Sequence, residues 1–302
     1  MGTREPVERP NPMKLERPCR VIIGFWLLSA VGLLNAGAQN VSGALLAHDD
    51  FFSTWFARVS KIQSEQPSWM TPVFTTTPRL DEEIHYDQSF QSQNGARVSN
   101  YGSSKGLELI PVQNVQLNLG VPPWISRDNA PGKDGFGDTS FLVKYRLLSA
   151  NQDNGDYVFT TFLGLTVPTG SRRQTSGRYT LTPSIAGGKG WGNFDIQSTL
   201  GVSLPGNDGT SRRGPGAPIA LNTSFQYRLG KFVWPEVEAN YTYWPDGVNE
   251  GREQLFISPG LILGRFPIWR RLRLVVGVGY QVAVTARPLV HNNFDVTVRL
   301  PF

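Results

Sequence analysis

The chain has 302 residues, 18% of them charged, and a formal net charge of +5. The sequence lacks apolar runs of about 18 residues, which excludes a polytopic helical membrane protein. The single cysteine excludes a disulfide scaffold, and three scattered histidines do not form a zinc cluster. At ~150 residues per domain the length allows two domains, although an all-β barrel commonly reaches it as one.

The N-terminal segment has the three parts of a secretory signal peptide. Five Lys or Arg residues precede the uncharged run Val21–Leu34, and Ala36 and Ala38 fit a cleavage site before Gln39. An uncleaved anchor is the alternative, but a helix of this length spans ~21 Å, less than a ~30 Å hydrocarbon core. We expect residues 1–38 to be a cleaved signal peptide, with Met13 as an alternative start.

Cleavage would remove five Lys or Arg and three Asp or Glu residues, and the net charge would fall from +5 to +3. Because no run concentrates this charge, binding to nucleic acid is not expected.

Residues 39–78 are predicted to form a periplasmic leader that is partly helical. Between residues 44 and 63, large apolar side chains recur at roughly helical spacing: Leu45, Phe52, Trp55, Phe56, Val59 and Ile62. Three arrangements remain open at this point, namely a short periplasmic helix, a plug that enters a barrel, and a leader without a fixed place.

Residues 79–302 alternate with the period of two that is typical of β-strands. In the last segment, one face carries Phe294, Val296, Val298, Leu300 and Phe302, whereas the other carries Asn293, Asp295, Thr297 and Arg299. Similar segments predict twelve strands, at 81–92, 97–110, 113–123, 136–148, 156–168, 178–189, 191–204, 217–229, 232–244, 253–265, 271–284 and 291–302. The first three alternate poorly, which leaves ten strands as an alternative.

Two environments explain two-sided strands, a soluble sandwich and a membrane barrel with its apolar face toward lipid. The segments span about 10 residues, longer than the ~5–6 usual in soluble proteins. Aromatic residues lie near the ends of the apolar faces, among them Tyr157, Tyr179, Tyr243 and Phe302. An even strand number also places both termini on one side, with the longer connections on the other. The sequence therefore predicts an all-β, transmembrane, antiparallel up-and-down β-barrel.

Three motifs carry a resemblance to a known family: GFGDTSFLVKYRLL at 135–148, GLTVPTG at 164–170 and the closing FDVTVRLPF. In this order they resemble the MetA-pathway-of-phenol-degradation family of outer-membrane transporters, and residues 66–87 look like the entry segment of its longer members. The resemblance implies a Gram-negative outer-membrane barrel that passes aromatic or other small hydrophobic compounds. It implies neither catalytic residues nor a cofactor. The terminal Phe302 resembles the assembly signal of such barrels.

Charged residues on the polar faces are predicted to point into the lumen, because Arg or Lys facing lipid at the midplane costs ~2–4 kcal/mol. These residues are Glu83, His85, Asp87, Lys144, Arg146, Asp195, Arg228, Glu236, Glu238, Arg273, Asp295 and Arg299. They could form a salt-bridge lattice or a polar pathway, and we expect mostly lattice with a constriction that selects small solutes. The pair Gly137 and Asp138 is expected to close a loop.

The predicted outer loops carry a basic rim of Arg127, Lys133, Arg172, Arg173, Arg178, Arg212 and Arg213. Such a rim would bind phosphates of lipopolysaccharide or steer anionic solutes, and we favour the first. The expected partners are therefore outer-membrane lipid and lipopolysaccharide, the barrel-assembly machinery and a small-molecule solute. Neither a metal nor a cofactor is expected.

The functional prediction is a passive channel for small, hydrophobic or aromatic solutes. A structural or adhesin-type barrel is the alternative. A barrel-embedded hydrolase is less favoured, because neither His85, which lies beside Asp87, nor His291 accompanies a serine motif.

Overall fold

The structure is a computed structural model that describes residues 48–93, 95–129, 132–172, 174–206, 214 and 216–302. The predicted signal peptide, and the leader before His48, lie outside these residues. The chain divides into two units, Met1–Thr54 and Trp55–Phe302. The described part of the first unit is the short helix α1 (His48–Ser53) and Thr54. Within the described residues, no helix has the length and apolar character needed to cross a membrane.

The second unit begins with the amphipathic helix α2 (Trp55–Ser64), which buries Val59 and Ile62. These two side chains pack against Leu80 and Ile110 in one apolar cluster. Carbonyl oxygens in the last turn of α2 accept hydrogen bonds from the wall, including a buried one of 2.9 Å from Arg146 Nη1 to Ile62 O. A cation at this position also interacts favourably with the helix dipole.

Strands dominate the rest of the second unit. In chain order they are β1 (Glu83–Gln93), β2 (Ala96–Tyr101), β3 (Gly106–Val112), β4 (Val115–Gly120), β5 (Trp124–Asp128), β6 (Gly135–Phe136), β7 (Thr139–Ala150), β8 (Tyr157–Val167), β9 (Thr180–Trp191), β10 (Phe194–Val202), β11 (Leu204–Pro205), β12 (Ile219–Tyr227), β13 (Val233–Tyr243), β14 (Glu253–Trp269), β15 (Leu272–Ala283) and β16 (Asn292–Pro301).

These strands form one antiparallel sheet that closes into a barrel. Its first and last strands pair without a register shift from Glu83 opposite Pro301 to Ser92 opposite Asn292. Four wall strands are each interrupted once, as β2/β3, β4/β5, β6/β7 and β10/β11, so the wall has twelve strands. The prediction of twelve is confirmed, and the ten-strand alternative is wrong.

The interruption between β2 and β3 explains why the sequence alternates poorly there. Ser103 and Ser104 adopt left-handed backbone conformations, with φ of 45° and 58°. On either side of them, the pairing with β1 differs in register by two residues. This irregular turn moves side chains out of the period-two pattern.

The barrel exposes its apolar side chains and buries its polar ones. On β1, Ile84 and Tyr86 are exposed, whereas the intervening His85 is buried. On β13, Val237 is 49% exposed and its neighbour Glu238 is 0% exposed. This distribution is the reverse of that in a soluble protein, and it fits a wall that faces lipid and encloses a polar interior.

The two ends of the barrel differ in the length of their connections. At the end where β1 begins and β16 ends, called here the terminal end, adjacent strands are joined by short turns, at 113–114, 151–156, 192–193, 228–232 and 270–271. The opposite end, called the loop end, carries the longer connections at 129–134, 168–179, 206–218, 244–252 and 284–291. This asymmetry matches the sequence prediction and is typical of outer-membrane barrels.

Candidate functional site: a plug in the lumen

Residues 66–82, called here the plug segment, run through the interior of the barrel without forming a helix or a strand. Contacts from several wall strands surround this segment. Thr160 on β8 donates to Pro78 O at 2.6 Å, and Gln197 on β10 donates to Met70 O at 2.8 Å. Because an irregular buried segment cannot pair its own backbone, its N–H and C=O groups need partners from elsewhere. The lumen wall supplies them.

Two neighbouring glutamates on β13 accept hydrogen bonds from plug amides. The amide of Val73 donates to Glu236 Oε1 at 3.0 Å. Glu238 receives two, from Phe74 N at 2.8 Å and from Thr75 N at 2.6 Å. Positions 236 and 238 share one face of the strand, so one stretch of wall binds three successive plug amides.

Cationic side chains bind plug carbonyl oxygens. Lys144 Nζ donates to Thr77 O and to Arg79 O, both at 3.2 Å. Nearer the terminal end, Arg299 donates to Pro72 O at 2.6 Å and also to Thr71 O. Cationic wall side chains therefore bind backbone oxygens of the plug segment at several points along its length.

Glycines on the lumen face make room for the plug side chains. A Cβ atom at Gly279 would lie 2.6 Å from a ring carbon of Phe74, and one at Gly188 would lie 2.5 Å from the ring of Trp69. The Gly-rich face of β15 therefore reflects the close approach of the plug. An apolar cluster that joins plug and wall adds further contact, and it contains Met70, Val73, Trp234, Ile262 and Val275.

His85 lies in a buried polar cluster near the terminal end. Its Nε2 is 2.8 Å from Asp87 Oδ1, and its Nδ1 is 3.2 Å from Glu108 Oε1. Together with Glu83, His85 and Glu108 place potential metal-ligand atoms within 4.8 Å of one another. Arg299 Nε is 3.1 Å from His85 Nε2, and a positive charge at that distance opposes cation binding. His291 precedes β16 at the other end, so the fold does not bring the two histidines together.

Ten of the twelve predicted lumen residues are buried inside the barrel: Glu83, His85, Asp87, Lys144, Arg146, Asp195, Glu236, Glu238, Asp295 and Arg299. The other two, Arg228 and Arg273, are exposed at the terminal end. Wall side chains also bind one another, as in a lattice: Gln226 Nε2 donates to Glu236 Oε2 at 2.7 Å, and Gln281 Nε2 donates to Asn240 Oδ1 at 3.0 Å. Other lumen side chains bind the plug backbone, and the expected constriction that selects small solutes stays a prediction.

Sequence reasoning missed two kinds of lumen residue. It considered only ionisable side chains, and so omitted Gln116 and Gln197, which are buried and bind the plug segment. It also omitted Arg265, whose Nη2 donates to Trp69 O at 2.7 Å. Arg265 has an odd number, whereas the lumen-facing residues of β14 have even numbers. A β-bulge between Gly264 and Phe266 turns its side chain inward.

The predicted basic rim lies at the loop end. Lys133 and Arg172 are exposed there, and Arg178 is partly buried. Arg127 donates from Nε and Nη2 to Gln174 Oε1, at 3.2 and 3.1 Å. Three further members lie outside the described residues: Arg173, Arg212 and Arg213.

The connection at 168–179 folds onto Asp138, which accepts hydrogen bonds from Gly170 N at 3.0 Å and Ser176 N at 2.8 Å. Burial raises the pKa of Asp138, but the hydrogen bonds from Ser176, Thr175 and Gly170 outweigh it and lower the pKa below its ordinary value. The expected loop closure at Asp138 is therefore present. At the opposite end, Phe302 follows β16, and its amide donates to Glu82 O at 3.2 Å. Its role in assembly stays a prediction.

Fold and site together define a membrane-type β-barrel whose lumen is filled by its own N-terminal segment. The family model described as "Putative MetA-pathway of phenol degradation" matches residues 79–289. Because this match covers more than half of the chain, the chain belongs to that family. The resemblance inferred from the sequence motifs is thus confirmed.

Two solved structures align with most of the chain. The crystal structure of the COG4313 outer membrane channel from Pseudomonas putida F1 aligns with a TM-score of 0.53 and 13% identity, over 78% of this chain and 100% of that one. OccAB1 of Acinetobacter baumannii aligns with a TM-score of 0.36 and 10% identity, over 80% and 73%. No curated protein sequence matches this chain. The alignment with the first structure shows a shared β-barrel fold.

Proposed function

We propose that this protein is an outer-membrane channel for small solutes, and that the plug segment must shift for the channel to open. The proposal rests on the kind of hydrogen bonds that hold the plug segment against the wall. Among the described residues, a single backbone–backbone hydrogen bond joins the plug segment to the wall, from Phe302 N to Glu82 O. All other polar contacts between the two involve side chains.

Side-chain contacts of this kind are suited to release. Each neutral hydrogen bond contributes only ~0.5–1.5 kcal/mol net and each bond to a charged group ~1.5–3 kcal/mol, because water replaces the lost partner when the lumen hydrates. Segments with few backbone ladder bonds open at a fraction of the global unfolding free energy. The plug segment can therefore shift while the paired wall stays closed.

Strand number and family support the proposed class of solute. Eight-stranded barrels are filled by side chains and 16–18 strands leave an aqueous channel, so twelve strands leave a narrow path once the plug moves. The family description names phenol degradation, and the similar barrel from Pseudomonas putida F1 is titled an outer membrane channel. Carried to this chain, these descriptions favour passive passage of small aromatic or hydrophobic solutes.

A structural or adhesin-type barrel is the second candidate. The filled lumen favours it, because a barrel that never opens would also satisfy every plug contact. The two candidates differ in whether the plug segment leaves the wall under conditions in which solute passes.

The test tethers the plug segment to the wall. Asn240 Nδ2 on β13 lies 3.5 Å from Thr75 Oγ1, so Thr75→Cys with Asn240→Cys places two thiols close together. The chain's own cysteine, Cys19, lies in the predicted signal peptide and would not compete. We expect discrete conductance steps in planar bilayers for the reduced double variant. A disulfide or a short, cleavable thiol cross-linker should abolish them, and a reductant should restore them.

The two single-cysteine variants are the controls, and the same reagents should leave their conductance unchanged. Unchanged conductance in the cross-linked double variant would show that solutes pass without plug movement. A folded, heat-modifiable barrel without conductance in any variant would contradict the channel and favour the structural candidate.

A further inference from the structure

A cavity of about 430 Å³ opens next to the plug segment at the terminal end, and it is called here the terminal cavity. It lies between the plug segment, helix α2 and the ends of β14, β15 and β16. Six arginine and two carboxylate side chains line it with a summed charge of +4, which the terminal carboxylate of Phe302 lowers to +3: Arg79, Arg265, Arg270, Arg271, Arg273 and Arg299, with Asp81 and Glu83.

Carboxylates neutralise few of these arginines. Arg79 forms an ion pair with Asp81 at 3.1 Å. Arg265 donates to a neutral carbonyl oxygen, and Arg271 donates to the hydroxyl of Ser60 at 2.9 Å. Within the part of the chain that the structure describes, Arg273 has neither an ion pair nor a hydrogen bond. Guanidinium groups with neutral partners keep their attraction for a carboxylate, which they bind in a two-pronged geometry.

The backbone places two of the arginines by irregular geometry. In the pairing of β14 with β15, Gly264 lies opposite Val275 and Phe266 lies opposite Leu274, so Arg265 is the unpaired residue of a β-bulge. Such a bulge re-aims a side chain, here from the lipid side to the cavity. Arg265 has a φ of 59° and Arg270 has a φ of 46°. Left-handed conformations of this kind are costly for residues other than glycine and cluster at functional sites.

The remaining surface of the terminal cavity is partly apolar. Met70 of the plug segment, Val275 of β15 and the C-terminal Phe302 all contribute to its lining. A ligand that matches both surfaces has one negative charge and a compact apolar body. At about 430 Å³ the cavity is within the usual size range for small-molecule sites.

We propose that the terminal cavity is a binding site for a small aromatic carboxylate, with the carboxylate on the arginines and the ring against Met70, Val275 and Phe302. The assignment rests on the proposed function in that the ligand is treated as a transported solute. Binding itself is an equilibrium property of the cavity and requires no transport.

Isothermal titration of the detergent-solubilised protein with benzoate at low salt tests the site. Arg270→Gln with Arg273→Gln removes two exposed charges whose side chains do not bind the plug segment. We expect benzoate to bind the double variant at least about tenfold more weakly, the loss expected for one charge-assisted contact. The matched control, Lys133→Gln with Arg172→Gln, removes two exposed charges at the loop end and should leave the affinity unchanged.

Two further titrants define the ligand chemistry. Phenol, which is neutral at pH 7, should bind more weakly than benzoate if the arginines provide the attraction. Inorganic phosphate tests whether the cavity instead takes phosphate groups. Phosphate affinity equal to or above that of benzoate would overturn the carboxylate assignment, and equal benzoate affinity in both double variants would overturn the site.

Benzoate binding and conductance, measured on the same protein, test the binding site and the channel separately. Benzoate binding that depends on Arg270 and Arg273, in a protein without conductance, would support the site and contradict the channel. Conductance without benzoate binding would support the channel and overturn the site.

Discussion

Replacing Glu238 by Ala should release the plug segment from the wall. Glu238 is 0% exposed, and its two oxygens accept hydrogen bonds from Phe74 N and Thr75 N. Alanine removes the acceptors of the buried Thr75 amide and of the partly buried Phe74 amide. An unsatisfied buried donor costs ~1–3 kcal/mol, so the two amides together cost at most about 2–6 kcal/mol.

Because the closed state of the plug segment loses this free energy, the segment should detach from the wall more often. At 1.4 kcal/mol per tenfold, the opening equilibrium of the plug segment should rise roughly 30-fold to 10⁴-fold. Water that enters the space left by the side chain brings the effect toward the lower figure. Glu238→Gln keeps one oxygen acceptor, so about half of the free-energy effect is expected.

Hydrogen–deuterium exchange of the amides of Phe74 and Thr75 measures the opening directly. Glu253→Ala is the matched control, because Glu253 is exposed on β14 and, within the described residues, its side chain hydrogen-bonds only to the hydroxyl of Tyr241, at 3.1 Å. Heat-modifiable gel mobility verifies that each variant forms a closed barrel. Equal exchange at the two amides in Glu238→Ala and Glu253→Ala would refute the view that β13 holds the plug segment.

Two further predictions concern the wall and the loop end. Leu163→Arg, at a side chain 50% exposed in mid-β8, should lower the unfolding free energy in lipid vesicles by about 2–4 kcal/mol. Val248→Arg, in a loop, should cost ~0–1 kcal/mol, and equal effects would contradict a lipid-facing wall. Because its folded pKa is depressed, Asp138 should stabilise its loop above pH ~4 and lose this effect as pH falls through the folded pKa. The NMR shift of the Ser176 amide should follow that titration, and Asp138→Asn should flatten it.

The sequence by itself determined the wall of this barrel. Strand alternation is a local property of the chain, so segments such as 291–302 revealed their two faces without knowledge of their neighbours. Strand number, the sidedness of the long loops and the inward direction of residues such as Glu238 and Arg299 all followed from it. The family resemblance arose from motifs on these same strands.

The place of the plug segment was decided only by the tertiary structure. Residues 66–82 have no periodicity, and their partners lie far along the chain, as with Thr75 and Glu238, which are 163 positions apart. Closure of the barrel brings those partners together. No local pattern could therefore show which of the three arrangements proposed for the leader is adopted.

Arg265 shows a second limit of the sequence. A single bulge in β14 reverses which side of the wall its side chain faces, and a period-two pattern assumes that no such residue is inserted. The two faces of the wall strands can thus be predicted from the local sequence alone. The contents of the lumen and the arginines of the terminal cavity depend on contacts that exist only once the sheet has closed.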